Sequence, residues 1–143
     1  MGPRWVEPLA EFFDELVRAD DERWFHPHPL TRGYAEELGS YARRDVYVLM
    51  VDGQQVVGYG MLRGWDEGFE VPSLGIAISP AQKGRGLGRK LMAHLHEAAA
   101  ARGATKIRLT VDEANLAAVR LYTSLGYTLI PDDSGRLVGT RPA

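Results

Sequence analysis

The sequence predicts one mixed α/β domain, and three observations predict it. Its 143 residues are 45% hydrophobic and 25% charged, which is the size and composition of a single globular domain. The first 45 residues carry apolar side chains at helical spacing, and the pattern then changes to that of strands. Strand and helix patterns alternate from there onward, without a linker or an internal repeat. We therefore expect a single domain over residues 1–143.

The helical patterns come first. A run of apolar residues three or four apart predicts the first helix, and it consists of Leu9, Phe12, Phe13, Leu16 and Val17. A second helix is expected over 31–42, opened by Thr31. The stretch WFHPHPL between them is typical of a loop, because proline interrupts it twice.

A hairpin follows the helices. The runs DVYVLMV and QQVVGYGML flank Asp52-Gly53, which is a strong signal for a tight turn between two strands. A polar, glycine-rich loop is expected over 63–68, and VPSLGIAI predicts a third strand that ends at Ser79-Pro80.

Strands and helices then alternate. Apolar residues at helical spacing predict a helix over 86–102, closed by Gly103. The run TKIRLTV predicts a strand, and LAAVRLYTSL predicts a short helix between the N-cap Asn115 and Gly126. A closing hairpin is expected from YTLI and RLVGT, with its turn at 132–135.

The amino-acid composition excludes several classes of function. The chain has no cysteine, which excludes disulfides, thiolate metal sites and a cysteine nucleophile. A net charge of -2 gives no general attraction to nucleic acid or to an anionic membrane. The start of the chain lacks the apolar region of a secretory signal, and no window approaches the roughly 18 apolar residues that cross a bilayer. We expect a cytoplasmic protein with no nucleic-acid or membrane partner.

The stretch QKGRGLGRK stands between the third strand and the next helix. Unpaired backbone N–H groups and the positive end of the helix dipole bind phosphates at such a turn, and glycine lets the ligand approach. The alternative is a turn whose glycines serve geometry alone. The glycines are Gly84, Gly86 and Gly88, and the cations beside them are Lys83, Arg85, Arg89 and Lys90.

The glycine spacing excludes two nucleotide folds. A dinucleotide fingerprint needs G-x-G-x-x-G, but this chain has G-x-G-x-G and Arg89 follows. A P-loop would need glycine at position 89, before Lys90. Both also need a larger parallel sheet than the antiparallel start of the chain allows.

The segments LGIAISP, QKGRGLG and RKLMAHLHEAA resemble motif A of the GNAT superfamily of acetyl-CoA-dependent N-acetyltransferases. The later run NLAAVRLYTSLGY resembles the second signature of that family. The resemblance covers Asp45 to about Val138. It implies a central mixed, mostly antiparallel sheet with splayed strands, flanked by about four helices. One departure is Lys83, where the family usually has Gln or Arg.

The resemblance implies that acetyl-CoA is the acyl donor. Its pantetheine arm would pair with the backbone of Ile76 to Ile78 as an added strand does, and its pyrophosphate would bind the N–H groups of Lys83 to Arg89. The implied cofactor-binding residues are Ile76, Ala77, Ile78, Lys83, Gly84, Arg85, Gly86, Leu87, Gly88, Arg89, Asn115 and Tyr122. No metal is expected, since His94 and His96 diverge by about 200° on a helix.

The resemblance also implies the chemistry. The acetyl group would pass directly to a primary amine in a ternary complex, and a backbone N–H near Ile78 would stabilise the oxyanion. Tyr122 would protonate the departing thiolate, and Asn115, two turns earlier on the same helix face, would contact the cofactor arm as well as cap the helix. Many relatives have a catalytic Glu where this chain has Ser73, which can hold a water that passes the proton on.

Several assignments stay open at this point. Glu70 is the leading carboxylate for the general base, Asp112 is the second candidate, and some relatives let water remove the proton. His26 and His28 either border the acceptor site or cap a hydrophobic cluster. The loop residues Trp65, Asp66 and Glu67 are either acceptor contacts or plain loop.

The acceptor is a small-molecule amine, an amino sugar, an antibiotic or a peptide amine, and a homodimer is possible through the closing strands. Two other functions compete with catalysis. One is an inactive acyl-CoA-binding module, and the other is an interaction protein that binds no cofactor.

Overall fold

The computed structural model describes residues 2–40 and 44–143, and it confirms the predicted order of elements. The helices are α1 (Val6–Arg18), α2 (Arg32–Ser40), α3 (Leu87–Ala101) and α4 (Leu116–Ser124). The strands are β1 (Val46–Asp52), β2 (Gln55–Arg63), β3 (Ser73–Ile78), β4 (Lys106–Asp112), β5 (Thr128–Pro131) and β6 (Arg136–Pro142). The predicted end of the second helix at Ala42 lies outside the described residues.

The strands form one open sheet in the order β1-β2-β3-β4-β6-β5. All neighbours are antiparallel except β3 and β4, which run parallel and pair only at Ser73 and Arg108. Beyond that rung the two strands separate. The predicted mixed, mostly antiparallel sheet with splayed strands is therefore confirmed.

The closing hairpin is confirmed, but its position in the sheet was not predicted. β6 pairs with β4 over its whole length, from Lys106 opposite Pro142 to Asp112 opposite Arg136. β5 lies outside β6 at the edge of the sheet. The last strand of the chain is thus interior, and the strand before it is at the edge.

Two hydrophobic cores cover the two faces of the sheet. α1 and α2 pack with Tyr59 and Ala77 on one face, whereas α3 and α4 pack with Leu62 and Leu74 on the other. These strand residues differ in parity along β2 and β3, so they point to opposite faces. Val17, which the helical spacing included in the apolar stripe of α1, is 41% exposed.

His28 caps the hydrophobic cluster on the α1 face, which decides between the two alternatives for it. Its Nδ1 lies 2.8 Å from the Pro29 carbonyl oxygen, and its Nε2 lies 2.8 Å from the Tyr59 hydroxyl. Its ring stacks on Tyr34 with 3.8 Å between centroids. Burial lowers the pKa of His28 to about 4, so it is neutral at pH 7 and donates its Nδ1 proton to the carbonyl. His26 is exposed.

Across residues 2–40 and 44–143, none of the helices has the length and apolar character needed to span a lipid bilayer.

Candidate active site

A cavity of about 320 Å³ opens where β3 and β4 separate. Residues from the splayed strands, the glycine turn, α4 and the end of α1 line it. Among the lining residues are ten of the predicted cofactor-binding residues: Ile76, Ala77, Ile78, Lys83, Gly84, Gly86, Leu87, Gly88, Asn115 and Tyr122. The geometry thus brings most of the sequence-predicted residues to one place.

The glycine turn has the backbone shape that a phosphate site requires. Gly84 and Gly86 have φ values of +82° and +77°, a left-handed conformation that favours glycine. Gly86 is the N-cap of α3 and supplies no side-chain acceptor. The first hydrogen bond of α3 runs from the Lys90 N–H to the Gly86 carbonyl, so the N–H groups before it lack intrahelical partners. These groups fit a pyrophosphate at the start of the helix.

Gly88 lies in the first turn of α3, close to α4 and β3. A Cβ added to Gly88 would lie 3.4 Å from Cδ2 of Leu121 and 3.8 Å from Cδ1 of Ile76. Both neighbours line the cavity. A methyl group would fit there, but a longer side chain would extend into the first cavity, where the resemblance implies that the cofactor binds.

The basic side chains beside the turn differ in placement. Lys83 lines the cavity and its Nζ lies 2.7 Å from an oxygen of Asp21. Arg85 donates to the side chain of Gln82, and Arg89 donates to the hydroxyl of Ser124. Neither arginine is among the lining residues. Their predicted contacts with the cofactor stay predictions.

The free edge of β3 faces the gap between the splayed strands. The Pro72 carbonyl accepts from Arg108 of β4, whereas the Ser79 N–H donates to β2. Because successive residues of a strand alternate in direction, Ile76 and Ile78 share the orientation of Pro72. Their backbone groups therefore point into the gap, where an added strand or an extended ligand can pair with them.

α4 directs Asn115 and Tyr122 at the same cavity. Asn115 is the N-cap, and its Oδ1 accepts from the Ala118 N–H at 3.4 Å. Tyr122 follows two turns later on the same face, and it is buried with its ring 5.9 Å from that of Tyr127. Burial raises the pKa of Tyr122 to about 12, which keeps its proton in place at neutral pH.

A second cavity, of about 280 Å³, adjoins the first. Leu74 and Thr110 line both cavities, and both residues lie on the strands that separate. The other lining residues are Pro27, Met61, Arg63, Gly64, Glu67, Phe69, Ser73 and Arg108. The two cavities therefore meet at the place where β3 and β4 separate.

The candidates for the general base are not equally placed. Ser73 lines the second cavity, and its hydroxyl accepts from Arg108 at 3.4 Å. Glu70 is exposed and lies three residues before β3, so strand alternation does not direct it inward; neither cavity has it in its lining. Asp112 holds the following turn by accepting from the Ala114 N–H at 2.9 Å. Glu67 is the carboxylate that lines the second cavity.

The other open residues have structural contacts. Trp65 is buried in the core, and Asp66 accepts from the backbone N–H groups of Arg44 and Asp45. His96 lies 2.8 Å from the Tyr127 hydroxyl, whereas His94 is exposed. In the described part of the chain, no group of three or more His, Cys, Asp or Glu residues is placed to hold a metal ion.

Arg63 lies in the segment 63–70 from which the resemblance implies acceptor contacts, whereas the sequence analysis did not single out Arg108, the other cation of the second cavity. A signal for Arg108 was available, because Ile107, Leu109 and Val111 are the apolar positions of its strand. Successive side chains of a strand alternate between the two faces of the sheet, so Arg108 and Thr110 point away from the core that α3 and α4 cover.

Comparison with known proteins identifies the fold and the family. The acetyltransferase (GNAT) family model matches residues 9–127. The chain belongs to the GNAT acetyltransferase family. The GNAT domain is 25% identical to a GCN5-related N-acetyltransferase from Kribbella flavida, with a TM-score of 0.78 over 100% of this chain and 95% of that one.

Two further proteins extend the comparison of the GNAT domain. A PaiA N-acetyltransferase from Thermoplasma acidophilum, solved in complex with coenzyme A, shares the fold at 13% identity, with a TM-score of 0.76 over 100% of this chain and 96% of that one. A mycothiol acetyltransferase from a Nocardioides species is 33% identical over 79% of this chain and 37% of its own length. The chain spans only 16% to 37% of the curated mycothiol acetyltransferases that it matches.

Proposed function

We propose that this domain moves an acetyl group from acetyl-CoA to a primary amine by direct transfer in a ternary complex. The observation that carries the proposal is the pair of cavities that share Leu74 and Thr110. One cavity has the glycine turn of a phosphate site, and the lining of the other combines apolar residues with both signs of charge. Donor and acceptor entering from the two sides would meet in the gap of the sheet.

The first cavity would hold the donor. Acetyl-CoA supplies an acyl group activated as a thioester. The N–H groups at the start of α3 would bind its pyrophosphate, and the edge groups of Ile76 and Ile78 would pair with its pantetheine arm. Asn115 can contact the same arm with the side-chain groups that its single capping bond leaves free.

Tyr122 would act as the general acid. Its hydroxyl carries a proton that burial retains, and the residue lines the first cavity. A phenol gives its proton to a departing thiolate without carrying charge beforehand, so it adds no unpaired charge to a buried site.

We assign the general base to Glu67 rather than to Glu70. Glu67 lines the second cavity, which would hold the acceptor. Ser73 lines it too, and its hydroxyl can hold a water between the carboxylate and the amine. Glu70 has no such position. A base must lie within hydrogen-bond reach of the proton it removes, directly or through one water.

Acetyl-CoA should raise the melting temperature of the protein selectively. At a hundredfold excess over Kd, binding to the folded state alone adds about 2.7 kcal/mol to the free energy of unfolding, which corresponds to about 5 °C or more for a domain of this size. The measurement is thermal unfolding with acetyl-CoA, and with ATP and NAD as controls. Equal shifts with all three ligands, or no shift in a folded sample, would contradict the proposal.

Glu67→Gln should lower kcat/KM about 100-fold at pH 7, because the amine then loses its proton to bulk water alone. The loss should shrink at higher pH, where more of the amine is already unprotonated. Glu70→Gln is the matched control, with the same change three residues away and an expected effect below twofold. A larger loss in Glu70→Gln than in Glu67→Gln would return the role to Glu70.

A further inference from the structure

Arg63, Ser73 and Arg108 form one row across three strands. Arg63 of β2 is opposite Ser73 of β3, and Ser73 is opposite Arg108 of β4. Residues opposite one another point to the same face of a sheet, and all three line the second cavity. Neighbouring strands lie about 4.8 Å apart, so the backbones of the two arginines are about 10 Å apart, with Ser73 between them.

Within residues 2–40 and 44–143, no carboxylate forms an ion pair with either arginine of this row. Arg63 donates from Nη1 to the Pro27 carbonyl at 2.7 Å, and Arg108 donates from Nη1 to the Ser73 hydroxyl at 3.4 Å. Both acceptors are uncharged. Each guanidinium has five N–H donors, so both arginines keep donors with which to bind an anion.

The rest of the cavity limits what that anion can be. Glu67 lines the same cavity, so a ligand with only negative charge, such as a phosphate dianion, would meet a like charge there. A ligand with one carboxylate and one ammonium group complements both signs. A cavity of about 280 Å³ is at the small end of ligand sites, and Phe69, 62% exposed at its edge, offers an apolar surface.

We propose that the acceptor is a free amino acid, whose carboxylate binds between Arg63 and Arg108 and whose amine lies toward Glu67. This inference rests on the proposed function and names its substrate class. A bond forms between the amine nitrogen and the acetyl carbon, and the carbon–sulfur bond breaks. Glu67 takes the proton that turns the ammonium into the attacking amine and passes it to solvent, and the second nitrogen proton is lost to solvent as the tetrahedral intermediate collapses. Tyr122 protonates the thiolate and regains its proton from solvent.

The test compares each amino acid with its own amide. The two molecules have the same amine and side chain, but the amide lacks the carboxylate. Thiol release from acetyl-CoA is measured with the free L-amino acids, and the best one is then compared with its amide. A charge-assisted pair of hydrogen bonds predicts that the acid has about 10- to 100-fold the kcat/KM of the amide.

Arg108→Gln should remove at least tenfold of that preference, by lowering kcat/KM for the acid at least tenfold more than kcat/KM for the amide. Lys106→Gln is the matched control, because Lys106 is an exposed cation two residues earlier on β4, outside the linings of both cavities. It should keep the preference. An amide used as well as its acid by the wild type would overturn the inference while acetyl transfer itself stands.

A second readout separates this inference from the proposed function. The N-acetyl amino acid and its amide are titrated into the CoA-saturated protein, and binding is followed by thermal unfolding. Stabilisation by the acid alone, lost in Arg108→Gln, supports the carboxylate site even if no amine is acetylated. Equal stabilisation by both molecules, or by neither, overturns it.

Discussion

Replacing Tyr122 with Phe should lower kcat about 10²- to 10⁴-fold and leave the Kd for acetyl-CoA unchanged. The substitution removes one hydroxyl and keeps the ring that packs beside Tyr127. The thiolate must then leave without a proton from the protein. A positioned general acid usually contributes a rate factor of about 10² to 10⁴, so this is the loss expected. Steady-state kinetics with the best amine, together with a titration of acetyl-CoA, would measure both quantities.

The pH profile gives this prediction a second test. Because the pKa of Tyr122 is raised to about 12, its hydroxyl stays protonated across the range from pH 7 to 10, and its ionisation should cause no fall in kcat there. Tyr127→Phe is the matched control, since Tyr127 is also buried but its hydroxyl contacts His96 and neither cavity contains it. If Tyr122→Phe keeps kcat within twofold, another group is the acid.

Gly88→Leu should weaken acetyl-CoA binding by about 100-fold or more, which is roughly 2.7 kcal/mol. The new side chain would grow from a position 3.4 Å from Leu121 into the donor cavity. The backbone of Gly88 is helical, so leucine is not strained there and favours the helix. The measurement is the Kd for acetyl-CoA, beside the melting temperature of the free protein.

Gly88→Ala is the control for this prediction. Its methyl group meets only ordinary contacts of 3.4 Å or more, so the Kd should change by less than tenfold. A leucine variant that folds and binds acetyl-CoA as the wild type does would mean that the donor does not pass over the start of α3.

The features that the sequence predicted correctly depend on neighbouring residues. The Gly53 turn, the Asn115 cap and the glycine turn before α3 are each set by a few adjacent residues with a known backbone preference. The resemblance added the splayed strands, and the position of one rung at Ser73 and Arg108 agrees with it.

The features that the sequence did not predict depend on residues distant in the chain. The second cavity joins Arg63, Ser73 and Arg108, which the sheet order brings into one row. His28 is neutral because burial lowers its pKa, and the hydroxyl that its ring contacts belongs to Tyr59, 31 positions later. Glu70 and Glu67 are equivalent by residue type, and only the path of the loop before β3 separates them.

The position of β6 between β4 and β5 has a consequence for how the chain folds during synthesis. β4 pairs with β3 at a single rung, so its other edge stays open until β6 pairs with it. β6 lies 24 residues or more beyond the end of β4, and β5 emerges from the ribosome before it with no place in the sheet. The nascent chain therefore exposes unpaired strand edges until β6 has been synthesised, and chaperone binding or aggregation would act on it in that interval.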